Sequence, residues 1–324
     1  MSRLNAQINS IEMANRKLYV VTCISNPVRY RTRYDLYRKF ERHMQQSGVE
    51  LYTTEMAFGD RDFAITDGNN PNHIQVRSFF ELWHKENMLN LAIQRLPSDW
   101  EYVAWIDADI LFNRPDWAEE TVEQLQHYQF VQMFSHATDM SPTYEPIKQH
   151  TGFVYDWYHY PERVRKGGYA TFSHPGYAWA ARREALDACG GLIELGILGS
   201  GDRHMACAMI GKIEHSYNGN VHPHYKDMCM EWQRRCEKFA KRDVGYVAGN
   251  ITHFWHGSKA NRHYNDRWKI LVDHQYDPYK DVFRDTQGLL QLDDDKPGLR
   301  DDIRKYFRSR HEDDIYTGDF KLLS

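Results

Sequence analysis

The chain has 324 residues, a formal net charge of −4, 41% hydrophobic residues and 27% charged ones. That supports one large domain or two closely packed ones, and the acidic balance excludes a whole-chain footprint for nucleic acid, leaving a local basic patch at Arg29, Arg31, Arg33, Arg38 and Lys39. Five cysteines without C-x-x-C spacing fit reduced thiols in the cytoplasm, and no apolar run reaches the ~18 residues of a membrane span.

Residues 1–16 are polar and read as a peripheral helix or arm with no signal-peptide core. L-Y-V-V-T-C-I, Leu18–Ile24, is a short β-branched run that reads as a buried first strand. Arg31–Met44 follows with helical spacing, placing Tyr34, Tyr37, Phe40 and Met44 on one face. Val49–Met56 reads as a second strand, 59–72 as a polar loop, Ser78–Leu96 as a helix, and Tyr102–Ile106 as a third strand. Strand, helix, strand, helix, strand is the order of parallel βαβ units, so the expected class is α/β with a mostly parallel sheet flanked by helices, and ligands bind beyond the C-terminal strand ends. Further on come a helix at 119–127, a strand at 130–134, a long aromatic loop at 142–172, and a strand at 177–181. Helices at 183–188 and 202–209, a late strand within 244–254, and a helix near 299–310 complete the expectation. No linker divides the chain: it reads as one domain, with a nucleotide-binding half (17–135), an acceptor half (136–275) and a C-terminal extension.

The third strand, Y-V-A-W-I, ends in Asp107 and Asp109 with Ala108 between them. Two carboxylates at the end of a buried strand repel each other and need compensation. A bare D-x-D often caps a turn, but the buried strand before this one favours a divalent cation, Mg²⁺ or Mn²⁺, which joins carboxylates to substrate phosphates. No Walker-type glycine loop is present. That weighs against a metal-dependent nucleotidyl or phosphoryl transferase sharing the same carboxylates.

W-I-D-A-D-I resembles the D-x-D motif of GT-A-fold nucleotide-sugar glycosyltransferases, and W-H-K-E-N-M-L-N-L-A-I-Q-R-L-P is similar to the helix upstream of it in several such families. H-P-G-Y-A-W-A-A-R-R-E-A-L-D-A-C-G-G-L, beginning at His174, resembles the galactosyltransferase-like segment that lines the donor and acceptor pocket. This implies pocket roles for His174, Gly176, Tyr177 and Trp179. In I-L-G-S-G-D-R-H, Asp202 stands where those enzymes carry the acidic general base, although one carboxylate replaces two and the preceding tryptophan is absent. Asp202 also suits an N-cap position. H-F-W-H-G-S-K resembles the H-x-x-G-x-x-K of glycogenin-like enzymes, which implies a metal-binding histidine, His253 or His256, and a diphosphate-binding Lys259. In that fold Thr22, Ile24 and Glu55, at the ends of the first two strands, lie where base and ribose bind. Arg61, Arg77 and Lys85 are further candidates for base or diphosphate.

The resemblance implies a transferase that uses Mn²⁺ or Mg²⁺ and moves a sugar from a nucleoside diphosphate, UDP foremost, to a hydroxyl, inverting with Asp202 as base. The acceptor stays open among glycan, protein, lipid and modified DNA base, the last suited to the basic patch and aromatic loops. An inactive nucleotide-sugar-binding protein is the non-enzyme alternative. His222 and His224 with Cys229 and Cys236 fit no standard zinc spacing.

Overall fold

The structure is a computed structural model and describes residues 17–166, 173–240, 242–263, 266–293 and 295–314. The first part of the chain forms β1 (Leu18–Ser25), α1 (Arg31–Gln46), β2 (Glu50–Phe58), β3 (His73–Ser78), α2 (Lys85–Ile93), β4 (Tyr102–Ile106), β5 (Ile110–Phe112), α3 (Trp117–Leu125) and β6 (Phe130–Gln132). The middle forms β7 (His136–Met140), β8 (Pro146–Gly152), α4 (Phe153–His159), α5 (Pro161–Lys166), β9 (Ser173–His174), β10 (Ala178–Arg182), α6 (Arg183–Cys189) and α7 (Gly201–Met209). The last part forms α8 (Pro223–Ala240), β11 (Val244–Tyr246), β12 (Asn250–His253), α9 (Arg267–Asp273), β13 (Val282–Arg284), β14 (Leu290–Leu292) and α10 (Pro297–Arg308).

Seven strands make the main sheet in the order β11-β6-β10-β4-β1-β2-β3. Its pairings are parallel except those of β10, which runs antiparallel to both β4 and β6. The expected class, α/β with a mostly parallel sheet, is therefore the observed one. β1 is buried on both faces because its residues alternate between two core layers. Tyr19 and Val21 pack in one layer with Val103 and Trp105, while Leu18 and Val20 pack in the other with Ala104 and Ile106. The chain goes from β1 outward to β2 and β3, then crosses back to place β4 on the other side of β1. This reversal opens a crevice at the C-terminal ends of β1 and β4, where such sheets bind ligands. A second sheet, β5-β12-β7-β8-β9, lies beside it and gathers residues far apart in sequence.

Several expected boundaries differ. The helix expected from Ser78 begins at Lys85, because Ser78 ends β3 and its hydroxyl is tied to Phe80 and to Gln291. β3 itself was hidden beside a polar loop, although Ile74, Val76 and Ser78 alternate as buried residues. The aromatic loop expected from 142 contains β8, α4 and α5, and its last residues, 167–172, lie outside the described residues, as does the 1–16 arm. α8 was not expected at all. It spans 18 residues and buries Tyr225, Met228, Cys229, Trp232 and Cys236 on one face, so the two cysteines are core residues.

Candidate functional site

The crevice at the end of β1 and β4 is a cavity of about 550 Å³. Thr22–Ser25 and Asp107–Asp109 form one wall, His174–Tyr177 with Ser200, Asp202 and Arg203 another, and His253, His256 and Lys259 a third.

Asp109, His253 and His256 converge at one point. Asp109 Oδ2 lies 3.0 Å from His256 Nε2 and 4.0 Å from His253 Nε2, and the two imidazole nitrogens are 3.2 Å apart. Their protonation follows from their outer partners. Asp139, on β7, meets His253 Nδ1 at 2.8 Å through Oδ1. Burial pushes Asp139 upward, but hydrogen bonds from His150 and His253 and the charge of Lys259 overrule it and hold the carboxyl well below its usual range. An ionised carboxylate only accepts, so His253 Nδ1 carries a proton and Nε2 is the ring nitrogen turned towards Asp109 and His256. Arg262 Nη2 donates to His256 Nε2 at 2.8 Å, which engages the single lone pair of that nitrogen. Burial and the charge of Arg262 lower the His256 pKa to about 4, which keeps the ring neutral. For Asp109, burial is outweighed by His256, His253 and Arg262, and the carboxyl is held ionised. Its Oδ1 is buried with no hydrogen-bond partner among the described residues. Three potential ligand atoms thus converge, the lone pair of His256 Nε2 being engaged by Arg262. These residues fit a divalent cation, and Asp139 behind His253 is the usual carboxylate support of a metal-binding imidazole.

Asp107 faces elsewhere. Its Oδ1 is 2.5 Å from Lys85 Nζ, which also reaches Asp202 Oδ2 at 2.9 Å. Burial is the largest influence on each. It pushes Asp107 up, with help from Asp202 and Asp109, and it opposes the charge of Lys85, which the two carboxylates nevertheless hold well above its usual range. Asp202 sits in the first turn of α7 but makes no N-cap hydrogen bond. Gly176 explains how it comes so close to β10: a Cβ there would lie 3.0 Å from Asp202 Oδ2 and 3.2 Å from the His174 ring. The next residue, Tyr177, has φ +76, a conformation that side chains rarely adopt. It receives the Asp107 N–H at 2.7 Å on its carbonyl and stacks on His174 at 3.8 Å.

The other expected residues divide. Thr22, Ile24, Ala108, His174, Gly176, Tyr177, Lys85 and Lys259 line the cavity. Thr22 spends its hydroxyl on Ile106 O at 2.7 Å, and Lys259 is paired with Asp139. Glu55 does not line it: the carboxylate accepts the N–H groups of Ala64, Ile65 and Thr66 and so fixes the 59–72 loop. Arg61 and Arg77 are likewise absent from the lining, bound instead to Pro27 O and to Gly59 O and Arg61 O. Trp179 is a core residue whose Nε1–H donates to Pro175 O at 2.8 Å. Asp107 stands apart from the cation cluster. Sequence reasoning missed Asp139, His150, Arg262 and Arg267. Asp139 had one signal: β7 alternates, and a carboxylate occupies its buried phase beside Ala137.

No protein-family model matches this chain, and no curated protein sequence does. Among solved structures it is similar to the catalytic domain of Drosophila beta1,4galactosyltransferase 7 in complex with xylobiose, at 12% identity and a TM-score of 0.40, over 88% of this chain and 97% of that one. A mutant of the same fly enzyme in complex with manganese, UDP-Gal and xylobiose is similar at 11% identity and a TM-score of 0.40, over 87% and 97%. S. aureus TarS 1–349 is similar at 11% identity and a TM-score of 0.34, over 69% and 73%.

Proposed function

We propose that this chain is a metal-dependent glycosyltransferase that moves a sugar from a nucleoside diphosphate sugar to an acceptor hydroxyl. The observation that carries the reading is the convergence of Asp109 Oδ2, His253 Nε2 and His256 Nε2 at the ligand-binding end of the sheet. A divalent cation held by them would offset the charge on a departing diphosphate. Two imidazoles with one carboxylate suit Mn²⁺ better than Mg²⁺, which prefers oxygen ligands.

The chain's own residues supply the rest. Asp139 fixes the His253 ring and its proton. Thr22–Ser25, at the end of β1, would border the nucleoside. Lys85 joins Asp107 to Asp202 and keeps both carboxylates in place. Asp202 would take the proton of the attacking hydroxyl, which gives inversion at the sugar carbon.

The test is a screen of nucleoside diphosphate sugars with Mn²⁺, read by donor hydrolysis and by thermal stabilisation. UDP-sugars should raise the melting temperature only with the metal present, and Asp109→Ala should abolish that rise. If no donor binds and Asp109→Ala behaves as the parent does, the reading is wrong.

A further inference from the structure

One short turn serves both histidines of the cluster. The 3₁₀ turn Ala260–Arg262 begins directly after Lys259 and is closed by the Arg262 N–H on Lys259 O at 3.2 Å. Lys259 and Arg262 thus stand three residues apart, the spacing at which such a turn brings side chains over one another. Lys259 pairs with Asp139, the carboxylate behind His253, and Arg262 Nη2 donates to His256 Nε2 at 2.8 Å. Both side chains line the cavity, and Arg262 is 8% exposed. The His256 atom that Arg262 engages also lies 3.0 Å from Asp109 Oδ2 and 3.2 Å from His253 Nε2. It is one of the three potential ligand atoms that converge there.

An imidazole nitrogen has one lone pair, in the plane of the ring. It can receive the Arg262 N–H or bind a cation, but not both. Charge sharpens the conflict. Asp109 and Asp139 bring two negative charges and Lys259 and Arg262 two positive ones, so these four groups already balance. A divalent cation placed among them leaves two positive charges in excess, and at short range in a buried site it repels the guanidinium strongly. Arg262 must therefore leave His256 as the cation arrives. On the wall of this cavity, the partner that matches its charge and fork shape is a pair of diphosphate oxygens beside that cation.

We infer that Arg262 is a displaceable counter-ion, which holds His256 against the cation and, once displaced, binds the diphosphate of the donor. The inference rests on the transferase reading in taking a divalent cation and a diphosphate as the ligands of this end of the cavity. The two ligands are then coupled through one side chain, because the cation frees the guanidinium that the diphosphate receives.

The experiment is calorimetric titration of the full chain, treated with EDTA, first with Mn²⁺ and then, at saturating Mn²⁺, with UDP and with uridine. Arg262→Met removes the charge and every N–H group of the side chain while keeping most of its length. This variant should bind Mn²⁺ about tenfold or more tightly than the parent, because no hydrogen bond from a charged donor has to be broken first. It should bind UDP about tenfold or more weakly, and uridine as the parent does. The opposite signs are diagnostic, since a residue that merely supports the fold would loosen the site and weaken both ligands. Circular dichroism melting checks folding. Arg262→Lys keeps the charge without the fork, should fall between parent and Arg262→Met, and decides the matter if the methionine variant does not fold. Mn²⁺ bound no more tightly by the variants than by the parent overturns the inference, and so does an unchanged affinity for UDP. Mn²⁺ binding by Arg262→Met with none by the parent supports it. If neither binds Mn²⁺, the transferase reading and the inference fall together. If the parent binds Mn²⁺ but not UDP, the transferase reading fails by itself, and the Mn²⁺ comparison still decides whether Arg262 guards His256.

Discussion

Asp139 lies behind His253 and fixes a proton on its Nδ1. It is 5% exposed and receives hydrogen bonds from His253, His150 and Lys259. Asn at this position keeps the shape but offers one carbonyl oxygen and adds an N–H₂ group that competes for the wrong side of the ring. Asp139→Asn should therefore weaken Mn²⁺ binding by about 10–100-fold, as measured by calorimetry. The residue shows how unevenly the site was legible. Asp109 could be read because a buried strand runs straight into it, and His253 and His256 because they sit beside a glycine and a lysine. Arg262 and Arg267 could not be read: they are cationic residues in polar stretches, and only the fold buries them.

At the scale of elements, α7 carries Asp202, the proposed base, and is tightly packed. A Cβ on Gly201 would lie 2.3 Å from Glu86 Oε1 at the start of α2. Burial raises the Glu86 pKa, which makes a charged carboxylate costly at this contact. Gly201→Ala should cost about 1–3 kcal/mol in urea unfolding, through overpacking between α7 and α2. Further along α7, His204 is buried between Ser216 Oγ and Tyr225 Oη, each at 2.8 Å, and burial lowers its pKa to about 3. In the unfolded chain an unperturbed histidine titrates near 6.5, so the unfolded state binds the proton first. The stability that His204 contributes is thus complete above about pH 6.5 and is lost as pH falls towards 3. The melting temperature should fall across that window, and His204→Gln should flatten its pH dependence. Elements with one clear period were legible, such as β1 and α1. α8 was not, even though Tyr225, Met228, Cys229, Trp232 and Cys236 follow helical spacing, because charged residues fill the positions between them and the apolar stripe is narrow. The helix expected from Ser78 began late for a different reason: β3 claims Ser78 through pairing with β2, a tertiary contact that no local pattern announces.

At the scale of the whole molecule, α1 is joined to residues 312 and 313, near the last described residue. Glu312, 1% exposed, pairs with Arg33 of α1 at 2.5 and 2.6 Å and with Arg310 at 2.7 Å, and the carboxylate of Asp313 receives the first N–H groups of α1, from Arg31 and Thr32. Burial would raise the Glu312 pKa, but Arg33 and Arg310 hold it well below the usual carboxylate range. Glu312→Gln leaves two largely buried guanidiniums without their shared counter-charge and should cost about 3–5 kcal/mol of unfolding free energy, measured by denaturant titration with an unchanged slope. Because Arg33 and Arg310 also line the cavity, donor binding should weaken in the same variant.

The Asp109, His253 and His256 cluster and its support are drawn from distant parts of the chain, with Asp139 and His253 alone 114 positions apart. Contacts of such span form late, after loop closure has been offset by the core. During refolding, the far-ultraviolet helical signal should therefore recover before Mn²⁺ affinity does. The interval between the two would time the docking of β12 against β7, and the bound metal would serve as a clock for the final step of folding.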